Sequence, residues 1–183
     1  VNILSGWREQ YDRMIRSRGH LAEVVTGSGS HVVDSDDARD ILVYFYMNAY
    51  HLKDWIKNDP ATSSAAGSVE GFVGATAALR LCADLANGVK HLKLTRQTKT
   101  GDSQTSFSSQ SVVVRPGTIR ARATVNDEGQ IAAIRNTPSD EPKPALHTWE
   151  VRSSGQAYDA LELADEIVDA WKAWLQHPQQ HLM

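Results

Sequence analysis

Arg80, Asp84, Asn87 and His91 stand at i, i+4, i+7 and i+11 of one stretch of sequence. At about 100° per residue, these positions fall within about 60° of one another on an α-helix and form one polar ridge. A carboxylate beside a histidine orients the ring and favours its charged form. Asp84 is therefore expected to pair with His91 or Asn87, and Arg80 with Asp84. Asn87 and the neighbouring Lys90 could hold a phosphate or an oxyanion. The bland reading stands beside this one, because a polar stripe opposite an apolar stripe is what any surface helix shows.

A second set of residues lies upstream. Tyr44, His51, Asp54 and Asn58 flank the apolar face of another helical stretch, and His51 and Asp54, three residues apart, can touch. Asn48 falls near the middle of that face and must find a partner there. If the two helices are neighbours, His51, Asp54, Asn87 and His91 converge in one cleft. The alternative is that Asn48 and His51 are satisfied core groups that fix helix register. His51, Asp54 and His91 are the only metal ligands worth weighing. The chain has no HExxH and no Cys/His cluster, so no metal or cofactor is expected. Cys82 lies on an apolar stripe and reads as a core residue.

The charge pattern points to phosphate. The chain of 183 residues carries a net charge of −3, which argues against a globally basic nucleic-acid binder. Locally the picture differs. From Arg80 to Arg122, eight basic residues, Lys90, Lys93, Arg96, Lys99 and Arg115 among them, face only Asp84 and Asp102, a segment of +6. Such a segment can bind a polyanion by counterion release, or it can be a solvated face that balances the acidic last helix.

The elements that position these residues follow from periodicity. Residues 5–26 carry an apolar stripe at helical spacing. A second helix starts near Ser35, Asp36 and Asp37, which offer a cap, and closes at Asn58-Asp59-Pro60. Residues 61–67 read as a loop of small residues, and a third helix as running from Ser68 to Leu94. Alternation then replaces helical spacing at 104–114, 118–125, 131–135 and 146–152, which predicts one small antiparallel sheet. The last helix reads as 156–176 with an acidic outer face.

The expected fold is α+β, mostly α: a four-helix bundle with a small antiparallel sheet inserted before the last helix. Residues 1–183 form one domain, with the bundle at 5–95 and 156–176 and the β insertion at about 104–152. No run of about 18 apolar residues occurs, so no membrane span is expected. One cysteine and no signal-peptide pattern suggest a cytoplasmic protein, and the missing initiator Met suggests a processed or truncated chain.

Two segments, His51-Leu-Lys-Asp-Trp55-Ile-Lys-Asn-Asp59 and Cys82-Ala-Asp-Leu-Ala-Asn-Gly-Val-Lys-His91-Leu, resemble a bacterial protein family with the same order of helices, β insert and Trp-rich last helix. The bundle more loosely resembles the HEPN superfamily, many of whose members are RNases of defence and toxin–antitoxin systems. By position His91 matches the family's histidine, with Asn87 beside it, and the nearest upstream arginine is Arg80. The resemblance implies RNA cleavage without a metal: a 2′-hydroxyl attacks the adjacent phosphate, and His91 acts as acid or base. Asp84, Asn87 and Lys90 would complete the catalytic set, and Arg80, His51, Asp54, Lys93 and Arg96 would contact substrate. It also implies a homodimer through the bundle helices. The competing reading is a non-enzymatic interaction module whose β insert binds a partner protein.

Overall fold

In the computed structural model, residues 6–29, 34–90, 98–113, 119–125, 131–138 and 144–176 are described, with the backbone alone for 119–125 and 131–138. Helix α1 spans Trp7–Thr26. Its start is fixed from a distance, because the Trp7 N–H donates to Asp59 Oδ2 at 2.8 Å. Gly6 permits that approach: its φ is 111°, and a Cβ there would collide with Asp59 Oδ2. The N–H groups of Trp7 and Ala61 hold the Asp59 carboxyl below its usual range. Gly27 ends the helix in the left-handed conformation and donates to Glu23 O.

Helix α2, Ser35–Asn58, is capped by Asp34 rather than by the three residues that follow it. Asp34 Oδ1 accepts from the N–H groups of Asp36 and Asp37 at 2.9 Å each. Leu42, Phe45, Tyr46, Ala49, Leu52 and Ile56 form its buried face. Asn48 finds the partners its position requires: Gln10 Nε2 donates to Asn48 Oδ1 at 3.1 Å, and Asn48 Nδ2 donates to Tyr44 O at 2.7 Å.

Three expectations about the helices and the loop between them need correction. The supposed loop at 61–67 contains a 3-10 helix, Pro60–Ala65, entered through the Asp59 carboxylate, which accepts the Ala61 N–H at 2.8 Å. The single helix expected over 68–94 is two helices, α3 (Val69–Ala75) and α4 (Ala77–Lys90). Thr76 breaks them with an extended backbone, and its carbonyl accepts the Arg80 N–H at 3.0 Å. Threonine is favoured at a helix start, and its helical spacing with the flanking apolar residues masked the break. The last helix, α5 (Ala160–Gln176), begins four residues later than expected.

The residues before α5 form a strand. The observed strands are β1 (Ser106–Val113), β2 (Ile119–Val125), β3 (Ile131–Pro138), β4 (Leu146–Ser153) and β5 (Gln156–Asp159). Ser154 and Gly155 turn β4 into β5 with φ of 50° and 77°, the positive pair that a tight two-residue hairpin needs. Asp159 then caps α5, accepting from the N–H groups of Leu161 at 2.8 Å and Glu162 at 3.0 Å. Asp159→Ala is expected to cost about 1 kcal/mol of stability, read as a lower denaturation midpoint in urea.

The strands form two sheets, not one. One has the order β1-β4-β5 and the other is β2-β3, all pairs antiparallel. In sequence the β2–β3 ribbon lies between β1 and β4. β4 alternates, with His147, Trp149, Val151 and Ser153 buried. It lies against α1 and α5.

Helix α4 is central. Ala78, Leu79 and every residue from Leu81 to Ala86 are buried, as expected of a helix packed on several sides. Cys82 is fully buried, and burial pushes its thiol pKa up. Phe72 of α3 meets Trp171 and Trp174 of α5 at ring-centroid distances of 5.5 and 5.7 Å. Tyr46 donates to Ala160 O at 2.8 Å, and Arg18 grips Asp165 through two bonds of 2.6 and 2.8 Å. The observed architecture is mostly helical with small antiparallel sheets. Among the described residues no helix is long and apolar enough to cross a membrane.

Candidate functional site

Asp84 is 2% exposed, so the polar ridge of α4 is no solvent-facing stripe at that point. Its carboxylate is held by Lys99 and Thr100, in the next described segment after α4. Oδ1 accepts the Lys99 N–H at 2.7 Å. Oδ2 accepts both the N–H and the hydroxyl of Thr100, at 2.8 and 2.6 Å. From Thr100 a polar chain continues through the Thr105 hydroxyl at 3.1 Å to the Ser153 hydroxyl at 2.8 Å. Asp102 closes the arrangement by accepting the N–H groups of Ser154 and Gln104, which hold its carboxyl below the usual range. The expected Arg80–Asp84 pair is absent, and Arg80 Nε is buried with no hydrogen-bond partner. Asp84 is an anchor joining α4 to the 98–105 segment and the β4–β5 turn.

A second polar cluster forms on α2. Lys53, which sequence reasoning passed over, is buried, and its ammonium donates to Asp54 Oδ1 and Glu70 Oε1 at 2.9 Å each. Lys57 reaches the same Glu70 oxygen at 3.1 Å, and Lys99 Nζ lies 3.9 Å from the other. Burial works to lower the Lys53 pKa, but its hydrogen bonds to Asp54 and Glu70 outweigh it, and the net shift is upward. Burial works to raise the Glu70 pKa, but Lys53 and Lys57 overcome it, and the net shift is downward. The Tyr50 ring centroid is 4.9 Å from Lys53 Nζ, which adds a cation–π contact. The signal was available: Lys53 follows Ala49 by four residues and so shares its buried face.

Lys99 touches both clusters, through its N–H to Asp84 and its ammonium to Glu70. Asp54 thus serves Lys53, and no hydrogen bond joins it to His51. His51 is half-buried, its ring centroid 6.4 Å from that of Tyr50. Asn87 is half-buried and Lys90 exposed at the end of α4. His91, Lys93 and Arg96 lie outside the described residues. The cleft expected from His51, Asp54, Asn87 and His91 includes His91 and so lies in part outside the described residues. No three or more of the described His, Cys, Asp or Glu residues group closely enough to hold a metal ion.

One open cleft, of about 290 Å³, crosses the outer face of the β1-β4-β5 sheet. Ser109, Ser111, Thr148, Glu150, Tyr158 and Asp159 are among its lining residues. Glu150 and Asp159 are cross-strand neighbours. Glu150 is occupied by Arg152 Nε at 2.7 Å and the Ser108 hydroxyl at 3.1 Å, and Asp159 by its capping bonds. No residue picked from the sequence as catalytic lines this cleft.

The chain matches no family model, no curated protein and no solved structure.

Proposed function

We propose that the chain binds RNA and that its helical body is the scaffold for a basic surface, not a nuclease centre. The observation that supports this reading is the hold of buried Asp84 on Lys99, at the C-terminal side of the basic stretch. In sequence the basic stretch runs from Lys90, exposed in the last described turn of α4, through His91, Lys93 and Arg96 to Lys99, whose N–H is held by buried Asp84. A cation next to a fixed backbone, as Lys99 is, loses less freedom on meeting a phosphate chain than one on a free tail. The engagement of Asp84 by three donors of the 98–105 segment gives it a structural role, which favours binding over cleavage. The HEPN resemblance adds a cytoplasmic homodimer through the bundle helices and a role in bacterial defence.

Fluorescence anisotropy of the whole chain with a labelled oligouridylate tests the reading. Binding is expected at low salt, with the RNA recovered intact. Lys90→Ala and Arg96→Ala should each flatten the slope of log affinity against log salt by about 0.7, the contribution of one single-strand phosphate contact. Absence of binding at low salt sinks the reading.

A second reading is favoured by the β1 edge. Among the described residues β1 has a neighbour on one side only. Ser106–Val113 contains no charged residue, and Val112 and Val113 are 44% and 55% exposed. An uncharged open edge is a template for a strand from a partner protein. A protein that binds no RNA but co-purifies with a partner would favour this reading.

A further inference from the structure

Three lysines meet one carboxylate where α2, α3 and the 98–105 segment come together. Glu70 Oε1 accepts from Lys53 at 2.9 Å and from Lys57 at 3.1 Å, and Lys99 Nζ stands 3.9 Å from Oε2. Asp54 is the second carboxylate of the cluster, and it accepts from Lys53 at 2.9 Å. Lys99 meets a third, Asp84, through its N–H, but Asp84 is buried and already holds two further bonds from Thr100.

The three lysines are not equivalent. The Lys53 side chain is 10% exposed and is taken up by its two carboxylates. Those of Lys57 and Lys99 are 38% and 40% exposed. The bond to Glu70 uses one of the three N–H groups of the Lys57 ammonium, and 3.9 Å is too long for a hydrogen bond from Lys99. Both ammoniums therefore keep donors for a further acceptor. Exposed ion pairs are weak, so Glu70 orients these two lysines without consuming them. Their backbones are fixed as well: Lys57 lies in the last turn of α2, and the Lys99 N–H is held by Asp84. Two cations held beside one carboxylate on fixed backbones lose little freedom when they meet an anion.

We infer that Lys57 and Lys99 together hold a phosphate group of an RNA backbone, with Glu70 as their positioning residue. This inference rests on the proposed RNA-binding reading and extends its surface from the basic stretch to the end of α2. Continuity selects the ligand. Lys99 is both the last residue of the stretch that begins at Lys90 and a member of the lysine cluster. A phosphate chain that contacts the stretch at Lys99 meets Lys57 at the same place. Ammonium groups act on phosphate as point charges and read no base, so the contact fixes the position of the chain and not its sequence.

The test uses the whole chain and labelled oligouridylate. Lys57→Gln should flatten the slope of log affinity against log salt by about 0.7, and Lys57→Gln with Lys99→Gln by about 1.4. Lys57→Arg should keep the parent's slope, because it keeps the charge. So should Arg39→Gln, which removes an exposed cation about 27 Å along α2 from Lys57. In the parent chain, RNA should protect Lys57 and Lys99 from an amine-acetylating reagent, as read by mass spectrometry. That footprint decides the matter if the variants fail to fold. A parent-like slope in folded Lys57→Gln, or full acetylation of Lys57 in the RNA-bound parent, would overturn the inference and leave RNA binding standing. No binding by the parent would overturn both. Equal protection by inorganic phosphate at the same phosphate concentration would overturn it in favour of a lone phosphate ligand. Equal protection by poly-glutamate at the same charge concentration would overturn it in favour of an acidic protein.

Discussion

Asp84→Ala is expected to destabilise the chain by about 3 kcal/mol, the largest single effect among its polar side chains. The carboxylate is buried and accepts three hydrogen bonds, two from backbone N–H groups. Hydrogen bonds to a charged acceptor are each worth about 1.5–3 kcal/mol, and their loss here would leave the Lys99 and Thr100 N–H groups without their acceptor. Partial relaxation of the 98–105 segment keeps the cost below the sum. For a chain of this size the melting temperature should fall by about 6–12 °C. Asp84→Asn keeps one acceptor oxygen but turns an amide NH2 toward the other donors, and should recover less than half the loss. The amides of Lys99 and Thr100 should lose their exchange protection in Asp84→Ala. An Asp84→Ala chain as stable as the parent, with those amides still protected, would contradict the anchoring role. A carboxylate kept for catalysis would behave otherwise: its removal commonly spares stability or improves it.

How far the sequence foretold this site differs from residue to residue. Helices α1 and α2 were legible because their apolar residues recur at helical spacing over several turns and their ends carry strong signals. The break at Thr76 was not, because helical spacing continues across it and no proline or glycine pair interrupts. The β4–β5 hairpin was hidden for a related reason. Ser154-Gly155 turned the chain within two residues, and Gln156–Asp159 is too short a strand to show alternation. Asp84 was recognised as special, but its partners were sought on its own helix. They lie 15 and 16 residues away in sequence, and spacing arguments cannot reach across such a separation. Lys53 illustrates the opposite failure. It drew no attention as a candidate, although its position on α2 placed it inward. What the sequence did convey was local: which segments are helices, which alternate, and where the basic residues gather.

Lys53→Ala is expected to cost about 2 kcal/mol, and Lys53→Met less than about 1 kcal/mol, with the difference set by the aliphatic stem. The Lys53 side chain is 10% exposed, whereas Asp54 and Glu70 are 49% and 37% exposed. Removing the ammonium therefore leaves carboxylates that water can reach, and Glu70 keeps Lys57. This separates the site from a fully buried ion pair, where deleting one partner costs about 3–5 kcal/mol. The pH profile follows from the two shifts. The Glu70 carboxyl is held below its ordinary value, so its contribution is present above about 4.3, the unfolded value, and is lost as pH falls through the lower folded value. The Lys53 ammonium is held above its ordinary value, so its contribution is complete below about 10.4 and is lost only as pH rises through the still higher folded value. Urea denaturation as a function of pH should show the parent weakening on the acid side, and Glu70→Gln should remove part of that slope while lowering stability at neutral pH. Parallel acid limbs in the two chains would show that Glu70 has no part in it. Because Lys99 joins Glu70 to the segment fixed by Asp84, a folded Glu70→Gln chain should also exchange its Lys99 amide faster. That coupling would tie the α2 cluster to the basic segment on which the RNA-binding reading depends.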